Sequence, residues 1–141
     1  MKKLFSTTGL ILFLLALSAV SCEKKENNVE LLVGKWNQVS QKTTEYENRE
    51  KTYEQTITLA PKECVIEFLS DGTENVYWYD SFIYTANWEF NGDLLIITVE
   101  YVSEEMEFTV NENTLTLKLT IETSASGIPT KTVIDKVFSR V

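Results

Sequence analysis

The sequence predicts an all-β protein: an eight-stranded antiparallel up-and-down barrel behind a cleaved N-terminal signal segment. Three observations carry this. Apolar and polar residues alternate with period two along most of the chain after residue 30, as in Phe82, Tyr84, Ala86, Trp88 and Phe90 against Ile83, Thr85, Asn87 and Glu89. Such alternation means strands with one face on a core. Asp71-Gly72 and Asn91-Gly92 supply the positive φ that tight hairpins need. No segment of useful length shows the 3.6-residue period of an amphipathic helix.

The first element is a targeting segment. Lys2 and Lys3 precede an apolar run, Leu10 to Leu17, and small residues then lead to a cysteine, Ser18-Ala19-Val20-Ser21-Cys22. This is the pattern of a secretory signal. A membrane-spanning helix needs about 20 apolar residues, and the run is much shorter than that. Residues 1–21 read as the removed signal peptide, 22–30 as a flexible polar tether and 31–141 as one folded domain. The cysteine that ends the segment, after the small Ser21, resembles a bacterial lipoprotein signal, although Ala19 stands where that family usually has Leu. The resemblance implies lipidation of Cys22, whose thiolate would be the nucleophile, and an address in the bacterial cell envelope, anchored to the outer membrane by lipid.

The strands follow in order. They are expected at 34–42, 63–70, 74–80, 82–90, 93–101, 104–110, 114–122 and 131–140. Asp71-Gly72 divides the second from the third, and Asn91-Gly92 divides the fourth from the fifth. Asn111-Glu112-Asn113 separates Met106, Phe108 and Val110 from Leu115, Leu117, Leu119 and Ile121. Sequential hairpins at this spacing favour an up-and-down barrel or a sandwich. A closed barrel also removes the exposed edges that template aggregation. Thr43 to Gln55, long and highly charged, reads either as a binding loop or as a continuation of strand one into a further strand at 56–60.

Composition narrows the function. The chain has 13 basic and 21 acidic residues; loss of Lys2 and Lys3 with the signal leaves 11 basic residues and a net charge of −10. That sign argues against nucleic acid, which is held by neutralising its phosphates, and against direct docking on anionic lipid. There is no histidine, which removes His-based triads and most zinc sites. Of the two cysteines, Cys64 reads as a small buried hydrophobe without an activating neighbour. Acidic pairs such as Glu104-Glu105 and Glu45/Glu47 have uninformative spacing. No phosphate loop, metal-ligand spacing or nucleophile elbow occurs. No catalytic residue, metal or cofactor is expected, and the protein is not expected to be an enzyme.

The first strand opens Leu31-Leu32-Val33-Gly34-Lys35-Trp36. This Gly-x-Trp, with Asp71-Gly72-Thr73, Trp88-Glu89-Phe90-Asn91-Gly92-Asp93-Leu94 and the terminal Phe138-Ser139-Arg140, resembles the lipocalin family. More closely, it looks like the small lipocalin-like domains on lipoproteins of Bacteroidetes-type bacteria. The resemblance spans residues 31–141. It implies that Trp36 closes one end of the barrel with Arg140 packed across it, a structural pair. It also implies a pocket for a small lipophilic ligand. The aromatic-rich stretch 77–90 would line it, with Tyr84 and Trp88 the expected inward contacts. Two alternatives remain: the rings fill the barrel solid, or the protein is a non-enzymatic interaction or structural lipoprotein using its acidic surface or the 43–55 segment. In the latter case the sequence leaves its protein partner unknown.

Overall fold

The structure, a computed structural model, describes residues 28–125 and 127–141. The signal peptide, Cys22 and most of the tether lie outside the described residues. A short helical turn at 28–32 leads into the strands β1 (Gly34–Glu47), β2 (Glu50–Thr58), β3 (Cys64–Phe68), β4 (Thr73–Trp78), β5 (Ser81–Asn91), β6 (Leu94–Val99), β7 (Val102–Val110), β8 (Thr114–Ala125) and β9 (Ile128–Arg140). All pairings are antiparallel. From β3 onward each strand pairs with the next, and β1 pairs with both β3 and β9. Eight strands therefore close into a barrel, with β1 at the seam, and β2 is an added ninth on the same sheet.

The 43–55 segment is not a loop. It is the end of β1, a two-residue turn and most of β2. Asn48 and Arg49 both take positive φ, 52° and 71°, as a tight hairpin turn requires. The strand was hard to read because every residue of β2 is exposed. With neither face on a core, no hydrophobic alternation marks it. Other boundaries move less. Tyr79 and Asp80, at φ 47° and 62°, make the β4–β5 turn without a glycine. β8 and β9 extend past residues 122 and 131 because the two strands pair as far as Ala125↔Ile128.

Register sets the two ends of the barrel apart. The turns at 69–72, 92–93 and 111–113 lie at one end, with the helical turn and the end of β9. This end is packed solid. Leu32, Trp36, Phe68, Leu95 and Leu115 have no solvent exposure. Phe68 meets Trp88 edge-on, with ring centroids 5.9 Å apart.

The closed end is held by directional contacts as well as by packing. Trp36 Nε1 donates to the Leu32 carbonyl at 2.8 Å, tying the helical turn to β1. The Arg140 guanidinium lies 4.0 Å from the Trp36 ring centroid. Its Nη1 donates to the Val33 carbonyl at 2.8 Å and its Nε to the Glu112 carbonyl at 3.2 Å. Gly34 explains the Gly-x-Trp spacing. Its φ is 132°, and a Cβ there would stand 2.5 Å from Arg140 Nη1. Only glycine suits both the conformation and the approach.

The Asp71-Gly72-Thr73 turn is built in the same way. Asp71 Oδ1 accepts from the Thr73 amide at 3.0 Å and from its hydroxyl at 2.6 Å. These bonds hold the Asp71 carboxyl below its ordinary range. The Trp88 indole N–H then donates to the Leu69 and Thr73 carbonyls, at 3.1 and 2.9 Å.

Candidate functional site

Above the solid layer the barrel interior holds a cavity of about 270 Å³. Its walls are mostly apolar: Ile66, Val76, Ile97, Met106, Leu117 and Phe138. Polar groups converge on it from different strands: Gln38 from β1, Glu74 from β4, Tyr84 from β5 and Lys136 from β9. Val102 and Glu104, on the exposed start of β7, stand at its mouth.

Each polar group is placed by strand parity. Glu74 lies two residues from Val76 on β4 and pairs with Ala86 on β5. Ala86 itself is buried, one inward position toward the mouth from Trp88. The small alanine side chain leaves room for the carboxyl beside it. Gln38 lies two residues from Trp36, on the same inward face, and pairs with Phe138. Lys136 lies two residues from Phe138 and pairs with Leu117.

Glu74 is 4% exposed and Gln38 5%. Among the described residues neither side chain hydrogen-bonds to another protein group, and neither carries an atom that is both fully enclosed and unpartnered. Their polar atoms therefore face the cavity. Burial pushes the Glu74 carboxyl up to about 7, against the opposing pull of the Lys136 ammonium. The two form no ion pair among the described residues; Lys136 acts on Glu74 through its field. Burial raises the Tyr84 hydroxyl, helped by Glu74, Cys64 and Glu104. It also raises the Cys64 thiol, away from the reactive thiolate.

The structure places the expected residues differently from one another. Tyr84 lines the cavity. Trp88 does not: its ring lies in the solid layer between Phe68 and Phe90, and its N–H is engaged by two carbonyls. Trp36 and Arg140 lie at the closed end, away from the cavity lining. Glu74, Gln38 and Lys136 were missed, and parity was the available signal. Each sits two residues from an inward apolar neighbour, so the alternation that predicts the core also points these three inside. A wider depression of about 780 Å³ lies between the far ends of β1, β8 and β9, near Arg49, Glu122 and Lys131. Its lining residues are exposed or half-buried, and no buried polar group is among the described residues that line it. The barrel cavity is therefore the candidate site.

The closed eight-stranded antiparallel barrel, sealed at one end and hollow toward the other, fits a lipocalin-like calycin fold. In comparison with known proteins, the chain matches no family model and no curated protein.

Proposed function

We propose that this barrel is a binding module that holds one small, partly apolar ligand outside the bacterial cytoplasm, anchored to the envelope by lipid on Cys22. One observation carries the binding half. A cavity inside the barrel is faced by buried polar side chains that, among the described residues, have no protein hydrogen-bond partner. Buried polar groups are nearly always hydrogen-bonded, so groups left facing a cavity suit a ligand or ordered water. At about 270 Å³ the cavity falls just short of the roughly 300–1,000 Å³ usual for drug-sized ligands. The ligand is correspondingly small. No catalysis is assigned, because burial keeps the Cys64 thiol protonated and the chain has no histidine to activate it.

Trp78, 45% exposed beside the β4–β5 turn, and Trp88, beneath the cavity, are natural reporters. Titration with small fatty acids, alcohols and amines is expected to change tryptophan fluorescence saturably, with one site per chain. Silence across the whole panel would remove the binding reading. The anchoring half rests on the signal pattern ending at Cys22. Expressed in a bacterium, the protein is expected in the membrane fraction, and Cys22→Ser is expected to release it to the soluble fraction. A Cys22→Ser protein that stays in the membrane fraction would refute anchoring through that residue.

A further inference from the structure

The charges around the cavity point to a ligand class. Resting on the binding reading above, we propose that the cavity takes a small protonated amine with an apolar body, its ammonium held by Glu74 and the side-chain carbonyl of Gln38.

Three features of the site carry this. The first is the chemistry of the floor. Glu74 is almost fully buried, faces the cavity and receives no hydrogen bond from any described protein group. An ionised carboxylate only accepts hydrogen bonds, and an ammonium only donates them, three at a time. The pairing is charge-assisted and strengthened by a dry, low-dielectric surround. An entering ammonium would also favour the ionised form of Glu74 that burial now disfavours. Where Glu74 is protonated before binding, that proton would leave to solvent.

The second feature is the balance of charge. The cavity lining contains two carboxylates, Glu74 and Glu104, and one ammonium, Lys136. An anionic ligand could pair with Lys136 but would meet both acids. A cation meets the opposite balance. The chain's net acidic charge adds a field of the same sign over the approach.

The third feature is the route in. Ile66, Val76, Ile97 and Met106 wall the cavity. Around the hollow end, Trp78, Tyr79, Phe82, Ile83, Tyr101 and Val102 are all exposed. An apolar body is accommodated on the way in and once inside, while a bare inorganic cation would leave those walls without a partner.

Three probes sharing one skeleton separate the possibilities: phenethylamine, phenethyl alcohol and phenylacetate, measured by titration calorimetry on the protein, on Glu74→Gln and on Lys136→Met. Phenethylamine is expected to bind at least about tenfold more tightly than the alcohol, as one charge-assisted pair would give, with phenylacetate weakest. Glu74→Gln is expected to remove the preference for the amine over the alcohol. Lys136→Met is expected to tighten the amine, and it gives an independent reading should Glu74→Gln fold poorly. Phenylacetate binding tightest, amine and alcohol binding equally, or an amine affinity untouched by Glu74→Gln would each overturn the amine assignment and leave the binding barrel standing. Failure of all three probes to bind would overturn the amine assignment, while the binding barrel would fall only with silence across the wider fluorescence panel.

Discussion

Stability is expected to fall by about 3 kcal/mol as pH rises from 4.5 to 7, and Glu74→Gln is expected to abolish that fall. The Glu74 carboxyl sits at about 7 in the folded protein, against an ordinary value of 4.5. Below 4.5 it is protonated in the folded and unfolded chains alike, and its burial carries no charge penalty. Between 4.5 and 7 the unfolded chain ionises freely while the folded chain holds its proton. The unfolded state gains, and folding stability declines. Above 7 the folded protein is ionised too, and the loss is complete. At about 1.4 kcal/mol per pH unit, the displacement corresponds to about 3 kcal/mol. Urea melts at pH 5 and pH 8 measure it directly. Glu54 and Asp71, whose carboxyls are held low by Lys42 and by Thr73 respectively, act in the opposite direction and only at lower pH. An equal slope in the wild-type and Glu74→Gln proteins would place the pH dependence on other groups.

Trp36→Ala is expected to cost about 3–5 kcal/mol, the usual range for truncating a buried aromatic. That is a large part of the roughly 5–15 kcal/mol by which domains of this kind are stable. Trp36 has no exposure, and its loss would take three interactions at once. The ring fills the closed end, its N–H holds the Leu32 carbonyl, and its face supports the Arg140 guanidinium. The cation-over-ring contact alone is worth up to about 2 kcal/mol when desolvated. Trp36→Phe keeps a ring but loses the donor, so its cost should be clearly smaller. A thermal melt of Trp36→Ala indistinguishable from that of wild type would end the description of Trp36 as the plug of the barrel.

The parts of this fold legible in the sequence are those where one face meets the core. Tyr84, Ala86 and Trp88 on β5 and Leu115 and Leu117 on β8 declare their strands because burial imposes period two on them. Gly34-Lys35-Trp36 declares the closed end because its glycine and its indole are both constrained by one arginine. β2 stayed open between strand and loop because both its faces meet solvent, which places no demand on its pattern. The break between β4 and β5 was legible, but its turn residues were not, because no glycine marks the positive φ carried by Tyr79 and Asp80. The cavity floor is a subtler case. The parity of Glu74 is local and readable, but its pairing with the small Ala86, and the convergence of Gln38 and Lys136 on the same space, depend on register across distant strands.

The seam strand β1 has a consequence for how the protein comes into being. The residue before it, Val33, accepts a hydrogen bond from Arg140 Nη1 across 107 positions of sequence, and β9 lies along its length from Trp36 to Glu47. Contacts this distant form late and slowly, since the ends of the chain must first be brought together. A growing or threading chain can assemble the hairpins from β3 to β8 one after another. It cannot form the cylinder until β9 has arrived. Until then β1 and β8, the two strands that β9 joins, present open edges. If the chain is exported as proposed, completion of the barrel follows on the far side of the membrane, timed by the emergence of residues 128–140.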